Sequence, residues 1–374
     1  MKIALYCPNK PLRDPAPSGD RTIAQGIHQA LQALGHDCVE ISTYRSRWFW
    51  KSGQGWWRAS LGLLHAWRRA RVSRPRLWLT YHSYYKSPDV LGPIISRWLR
   101  IPYVLFQPMY STRRRKDPAT RIGFYLNRFA IRSAAHAFTN NLLDLPALHR
   151  ILPKERITYL APGIFPEEFQ CDPDAGLAVR RNHGITADLP LILTAARFRP
   201  GVKSQSLTYL FRALAPLARD GPPFQLLVVG DGPMQNALRE LAVRLLPGRV
   251  TFAGGIPRHE MVRYYSAADL FAFPGIGESL GMVYLEAQAC GLPVVALDTA
   301  GVPQVVCRNQ TALLVPQDGG AAMTAAVRRL ITDPKLRREL AAHGPIFILE
   351  GRNLHHNYAA LAQRLVAIQH QHAV

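Results

Sequence analysis

Two glutamates eight positions apart are the most informative chemical feature of the sequence. Glu278 and Glu286 lie in the segment GESLGMVYLEAQACGLPVVA, between a predicted strand and a helix, with Gly275, Gly277 and Gly281 nearby. Backbone donors at a helix N-terminus favour an anion. The spacing separates the two carboxylates by more than the ~5–5.5 Å typical of a retaining glycosidase. It favours two carboxylates that bind different ends of one polyhydroxyl ligand; the alternative is a fortuitous spacing.

Three further loops follow predicted strands, where open α/β sheets bind ligands. Ser18-Gly19-Asp20 opens a helix, Arg197 and Lys203 stand just before another, and Gly230-Asp231-Gly232 forms a tight turn. Two cations at a strand end can hold a diphosphate and stabilise the charge on a leaving phosphate. The alternatives are a plain helix cap, surface ion pairs and an ordinary turn.

The elements that must position these loops alternate between short β-rich runs and helical periods, which is typical of parallel sheets. A length of 374 residues suits two or three domains. We predict two doubly wound domains, 1–172 and 173–374, because periodicity breaks near Phe169–Ala175, and a closing helix at about Asn353–Gln369. The predicted strands are Lys2–Cys7, Cys38–Ser42, Leu77–Thr80, Tyr103–Phe106, Ala135–Thr139, Leu191–Ala196, Phe224–Val229, Val250–Ala253, Leu270–Phe273 and Pro293–Ala296.

The charge is concentrated in one block. The chain carries 46 Lys+Arg and 25 Asp+Glu, a net charge of +21, and residues 45–132 hold 19 of those bases, two acids and all seven tryptophans. Such a surface suits an anionic partner. Gly55–Arg71 fits an interfacial amphipathic helix for an anionic membrane, and equally a core-facing helix with a solvated basic face. A nucleic-acid-binding protein is a rival reading, although no recognised binding motif occurs.

Several classes of protein and site are disfavoured by the sequence. The apolar run at the start is too short for a signal peptide, and no run of about 18 apolar residues exists to span a membrane. The five cysteines are widely spaced with no C-x-x-C pair, which disfavours a disulfide framework or a zinc site. We expect a cytoplasmic protein. Asp172-Pro173-Asp174 has the spelling of a metal-binding Asp-x-Asp but follows no strand, so we interpret it as a turn.

The set of motifs resembles the retaining glycosyltransferases of family 4, which have the GT-B fold of two facing Rossmann-like domains. The E-x7-E segment, the Ser18-Gly19-Asp20 loop, the Arg197 and Lys203 pair, the Gly230-Asp-Gly232 turn and the stretch Phe252–Pro257 all match, so the resemblance covers nearly the whole chain. It implies a nucleotide-sugar donor bound by the second domain and a glycan or lipid-linked acceptor bound by the first. No cofactor and no metal are implied.

The same resemblance implies a role for each motif residue. Glu286 would bond the ribose hydroxyls, and Glu278 would contact the transferred sugar. Arg197 and Lys203 would hold the diphosphate. The donor-binding backbone positions are Gly19, Gly232, Gly255, Ile256, Ser279, Leu280 and Gly281, with the base near Gly255 and Ile256.

One position departs from the family pattern. Many members have a histidine after a strand of the first domain, where this chain has Gln107. His82, after an earlier strand, is the nearest substitute; the alternative is that it is a structural histidine.

From the whole set of motifs we predict a retaining, metal-independent hexosyltransferase, peripheral on the inner membrane face, without nucleic acid as a partner. A nucleotide-sugar epimerase of the same fold would bind the same donor and is the enzymatic alternative.

Overall fold

The protein is described by a computed structural model that covers residues 1–13, 19–186 and 188–373. The chain divides into two compact units. The first comprises residues 1–161 together with 355–374, and the second comprises residues 162–354. Among the helices of the described residues, none is both long and apolar enough to cross a membrane.

The first unit is built on a six-stranded sheet in the order β2-β1-β3-β4-β5-β6, with every neighbouring pair parallel. Its central strands are apolar and buried, as expected for strands covered by helices on a parallel sheet. The strands are β1 (Lys2–Tyr6), β2 (Asp37–Ser42), β3 (Leu77–Tyr81), β4 (Tyr103–Phe106), β5 (His136–Thr139) and β6 (Ile157–Tyr159).

The helices of the first unit connect these strands, and the last helix of the chain returns to this unit. The buried Leu361 and Leu365 belong to that last helix, and its Asn357 amide donates to the Ala161 carbonyl at 2.7 Å. The helices are α1 (Gly19–Ala33), α2 (Gly53–Ser73), α3 (Gly92–Leu99), α4 (Pro118–Ser133), α5 (Leu145–Leu148) and, at the end of the chain, α13 (Leu354–Ala373).

The second unit repeats the plan with six parallel strands in the order β12-β11-β10-β7-β8-β9. The strands are β7 (Leu191–Ala195), β8 (Gln225–Val229), β9 (Val250–Gly254), β10 (Leu270–Ala272), β11 (Val294–Leu297) and β12 (Ala312–Val315). The helices are α6 (Pro173–Asn182), α7 (Val202–Asp220), α8 (Gln235–Leu245), α9 (Met261–Ala267), α10 (Met282–Ala289), α11 (Ala321–Thr332) and α12 (Pro334–Gly351).

The predicted fold class is confirmed, since both units are Rossmann-like layers of helices on a parallel sheet, with a C-terminal helix. The units differ in their bounds from the predicted 1–172 and 173–374. Residues 162–172 lie in the second unit because Phe169 is buried against Tyr265, with ring centroids 6.1 Å apart. The closing helix counts with the first unit. Asp172 accepts a hydrogen bond from the Ala175 N–H at 3.0 Å and so caps helix α6.

Candidate functional site

The loop between β10 and α10 holds Glu278 in a backbone conformation that only glycines allow at its key positions. Gly275, Gly277 and Gly281 all have positive φ angles, 74°, 62° and 73°. A Cβ on Gly281 would approach the Tyr284 ring to 2.5 Å. Glycine therefore satisfies both the left-handed turn and the close packing at this position. The loop delivers the Glu278 carboxylate to Lys203 in the first turn of α7, where the two side chains form an ion pair.

The same loop leaves backbone donors unused. Helix α10 begins at Met282, so its first N–H groups lack partners within the helix. The N–H groups of Ser279, Leu280 and Gly281, just before it, form no hydrogen bond with any other residue that the structure describes. These N–H groups bring positive potential to the loop, and Lys203 keeps further ammonium donors beside its ion pair with Glu278, so a phosphate group suits this place.

Glu286, about one turn into helix α10, has a different set of partners. Its side chain is 7% exposed; it accepts a hydrogen bond from the Tyr265 hydroxyl at 2.9 Å and another from Arg258 Nε at 3.1 Å. Arg258 also donates to Glu168 at 2.6 Å and lies over the Phe169 ring, 4.8 Å from its centroid. Burial raises the pKa of Glu286, whereas Arg258 and then Tyr265 lower it by stabilising the carboxylate.

The loops after β7, β8 and β9 are joined to one another by main-chain hydrogen bonds. Phe198 N–H donates to the Asp231 carbonyl at 2.7 Å, and Gly230 N–H donates to the Gly254 carbonyl at 2.8 Å. A Cβ on Gly230 would lie 1.8 Å from the Ala196 carbonyl oxygen, so this contact requires glycine. Because β10, β7, β8 and β9 are neighbours in the sheet, their four loops form one continuous edge.

The predicted site residues of this unit occupy that edge. Arg197 is exposed and has no ion pair with a residue in the described ranges, which leaves its guanidinium available to a ligand. Gly232 has a φ of 142° in the turn after β8. Gly255 and Ile256 follow β9, with Gly255 close to the Asp231 carboxylate, since a Cβ there would be 2.7 Å from Oδ2.

Residues 178–345, which include this whole edge, match the family of glycosyl transferases group 1. The second unit carries a glycosyltransferase group 1 domain.

Curated relatives are about a third identical to this chain over the residues that align. A GDP-mannose-dependent alpha-(1-6)-phosphatidylinositol monomannoside mannosyltransferase of Mycolicibacterium smegmatis is 35% identical over 221 residues, 57% of this chain and 57% of its own length. Alpha-D-kanosaminyltransferase of Streptomyces kanamyceticus is 30% identical over 69% of this chain and 66% of its own length. The chain thus spans about half the length of the first curated relatives it matches, 57% and 48%.

Solved structures resemble the whole chain. Sucrose-phosphate synthase from Thermosynechococcus elongatus aligns with a TM-score of 0.75 at 21% identity, covering 98% of this chain and 99% of that one. Anabaena HepE, determined in complex with UDP, aligns with a TM-score of 0.78 at 19% identity, covering 98% of this chain and 100% of that one. At these identities the likeness shows the fold, and it agrees with the predicted GT-B class.

The second unit contains three polar residues that the sequence reasoning missed. Arg258, Tyr265 and Glu168 form the surroundings of Glu286. A cation four residues after the end of β9 is a signal of the same kind as Arg197 after β7, and it would have drawn attention to Arg258. The other two come from a helix and from a distant 3₁₀ turn, so no spacing in the sequence links them to Glu286.

The remaining predicted residues lie in the first unit. Ser18 falls outside the described residues, and Gly19 is the first residue of α1. His82 and Gln107 follow the neighbouring strands β3 and β4, both with positive φ, 61° and 54°. The Gln107 side chain accepts a hydrogen bond from the Tyr81 hydroxyl at 3.0 Å.

His82 differs from Gln107 in how its side chain is satisfied. The ring is buried and lies 4.9 Å from the Tyr84 ring, and its Nδ1 has no hydrogen-bond partner among the described residues. Burial lowers the pKa of His82, while the carboxylate of Asp20 in the first turn of α1 opposes that change. Burial thus favours the neutral imidazole, and its Nδ1 is unused among the described residues. Its catalytic role stays a prediction.

Proposed function

We propose that the protein transfers a sugar from a nucleoside diphosphate donor to a glycan or lipid-linked acceptor, as a retaining, metal-independent enzyme of glycosyltransferase family 4. The observation that carries this proposal is the loop before α10, where Lys203, Glu278 and three unused N–H groups come together. A nucleoside diphosphate leaves with two or more negative charges. The Lys203 ammonium and the backbone N–H groups stabilise that charge as it develops.

In the proposed reaction the acceptor hydroxyl oxygen forms a bond to the anomeric carbon as the bond from that carbon to the diphosphate oxygen breaks. The electron pair of the broken bond goes to the diphosphate, and the proton of the hydroxyl is taken up by a diphosphate oxygen. Lys203 and Arg197 bind the leaving group. Because these two cations and the N–H groups supply positive charge, we expect turnover without an added divalent ion.

The two glutamates divide the donor between them. Glu278 contacts the transferred sugar; its ion pair with Lys203, the residue assigned to the diphosphate, supports this role. Glu286 binds the ribose hydroxyls, since a buried carboxylate held by Arg258 retains lone pairs for two more donors. The base lies near Gly255 and Ile256. Support for this class of donor comes from the relative that uses GDP-mannose and from the HepE complex with UDP.

A titration of nucleoside diphosphates tests the donor site. We expect saturable binding of UDP or GDP by calorimetry, and a loss of about tenfold in Glu286→Gln, since hydrogen bonds to charged groups contribute roughly 1.5–3 kcal/mol. The matched control is Glu339→Gln, an exposed glutamate on α12. Binding that is equal in the two variants, or absent from the parent protein, would contradict the proposal.

We propose that the first unit binds the acceptor and contacts an anionic membrane surface. The support is the exposure of Trp56, Trp57 and Val72 on helix α2, 47%, 65% and 86%. Tryptophans beside arginines are typical of interfacial helices. The double variant Trp56→Ser/Trp57→Ser should sediment less with vesicles that contain phosphatidylglycerol while it keeps its melting temperature. Unfolding of that variant, or unchanged sedimentation, would contradict the membrane contact.

A further inference from the structure

Helix α2 buries small residues and exposes large apolar ones, which is the reverse of an ordinary amphipathic helix. Its buried residues are all small and form one stripe at helical spacing, whereas large apolar side chains on the same helix face outward. Gly62 allows the closest approach, because a Cβ there would be 2.9 Å from the Tyr44 ring. Leu63 and Trp67 of α2 pack partly against the core of the first unit, whereas its exposed large side chains are not part of that core. The buried stripe consists of Ala59, Gly62, Ala66 and Ala70.

A groove between α2 and α3 is lined by part of this outward apolar surface. It encloses about 750 Å³, within the range of ordinary ligand sites. Trp67 and Trp98 meet edge to face with ring centroids 6.3 Å apart, although Trp98 remains 57% exposed. An apolar groove that is open to water favours an apolar occupant. The α2–α3 groove is lined by Ser60, Leu63, Leu64, Trp67, Arg71, Trp98 and Leu99.

The α2–α3 groove has few polar groups, and the charge among them favours an anionic ligand. The Ser60 hydroxyl already donates to the Trp56 carbonyl at 3.1 Å. Arg71 lies over the Trp67 ring, 5.1 Å from its centroid. Of the described residues that line the groove, Arg71 carries a charge. Like its exposed neighbours Arg68 and Arg69, it forms no ion pair with any residue of the described ranges. Arginine binds phosphate oxygens through two parallel N–H groups.

We propose that the α2–α3 groove binds one acyl chain of an anionic phospholipid, with Arg71 at the phosphate. This inference rests on the proposed membrane contact and makes it specific, because one lipid would leave the plane of the bilayer to fill a defined site. A protein partner fits less well, since Arg71, which has no ion pair within the described ranges, stands among the apolar walls. Nucleic acid fits less well too, because the walls offer bases hardly any hydrogen-bonding groups.

Dodecyl phosphate, used below its micellar concentration, is the probe that tests the groove in the full chain. We expect calorimetry to give one saturable site, with inorganic phosphate and dodecyl maltoside binding at least tenfold more weakly. Leu64→Arg places a charge in the groove and should weaken dodecyl phosphate at least tenfold. Leu61→Arg is the matched control, because Leu61 is exposed to the same degree on the same helix, 36% against 38%, and does not line the groove.

Two further variants keep the test decisive. Ser60→Trp fills the groove from an exposed position and should act like Leu64→Arg even if the latter loses stability. Arg71→Gln should weaken dodecyl phosphate and leave dodecyl maltoside unchanged. The inference is overturned if the parent chain shows no saturable site, or if Leu61→Arg and Leu64→Arg lose binding equally.

Vesicle sedimentation separates this inference from the membrane contact on which it rests. Phosphatidylglycerol vesicles that bind the chain when dodecyl phosphate does not would overturn the groove and keep the contact. Vesicles that fail to bind, in a protein that still binds UDP or GDP, would overturn both while the donor site stands. Saturable dodecyl phosphate binding, together with vesicle binding that Ser60→Trp weakens, supports the groove.

Discussion

Arg258 controls the protonation of Glu286, and its replacement by methionine should weaken donor binding and change its pH dependence. Arg258 Nε lies 3.1 Å from Glu286 Oε1, and among the groups that lower the pKa of the buried carboxyl, Arg258 acts most strongly. A hydrogen bond to a charged group contributes roughly 1.5–3 kcal/mol. The Arg258 side chain is 38% exposed, so we discount this for screening to about 1–2 kcal/mol, which sets an upper limit of roughly 5- to 30-fold on the increase in Kd.

The sign of the pH effect follows from burial. Burial holds the pKa of Glu286 above its ordinary value, and loss of Arg258 removes the largest opposing influence, so the pKa rises further. Ribose hydroxyls need the ionised carboxylate as acceptor. As the pH falls, Arg258→Met should therefore lose affinity for UDP or GDP at a higher pH than the parent protein does.

Calorimetric titrations from pH 8 down to pH 5 measure this loss of affinity, which is the acid limb of the binding profile. Arg263→Met is the matched control, because Arg263 lies on the neighbouring helix and forms its ion pair with Glu260, at 4.0 Å, rather than with Glu286. Arg258→Lys keeps the charge without the geometry that joins Glu168 and Glu286, so its limb should fall between the other two. Coincident acid limbs for Arg258→Met and Arg263→Met would refute this role of Arg258.

Three other predictions concern turnover, packing and pH stability. Lys203→Met should lower kcat by about 10²–10³-fold, as removal of one group that stabilises developing charge does elsewhere, and an unchanged kcat in steady-state assays would exclude the assigned role. Gly230→Ala should lower the unfolding free energy by more than 1 kcal/mol in urea titrations, because its Cβ would lie 1.8 Å from the Ala196 oxygen; equal stability would show that the loop adapts freely. Burial lowers the pKa of His136 to about 4. The unfolded chain therefore takes up a proton first, and stability should fall as the pH drops from about 6.5 towards 4, a slope that His136→Gln should reduce.

The sheets and the glutamate pair were within reach of sequence reasoning, because short, mostly apolar buried strands and glycine-rich turns have strong local signals. Two strands were not predicted. Ile157–Tyr159 has three partly buried residues, and Ala312–Val315 is an edge strand whose four residues follow an irregular turn. Such short runs become strands only because a neighbouring strand pairs with them.

Long-range packing set the limits of the prediction. The surroundings of Glu286 join Glu168, Arg258 and Tyr265, up to 118 positions away, and nothing in their local sequence marks them as partners. Helix α2 shows the same limit. The periodicity of its sequence fits a helix that buries its small residues as well as one that buries its large residues. In the structure the small residues are buried, and Gly62 packs closely against Tyr44.

The most direct test of the central claim is to follow sugar and diphosphate together by NMR, with a nucleotide-sugar that binds and a lipid-linked acceptor. We expect release of the nucleoside diphosphate only when acceptor is present, a product with the anomeric configuration of the donor, and the same rate in EDTA. A new nucleotide-sugar formed without acceptor would identify an epimerase. An inverted product would contradict the retaining mechanism, and no reaction of a bound donor with any glycan or lipid-linked acceptor would contradict the account as a whole.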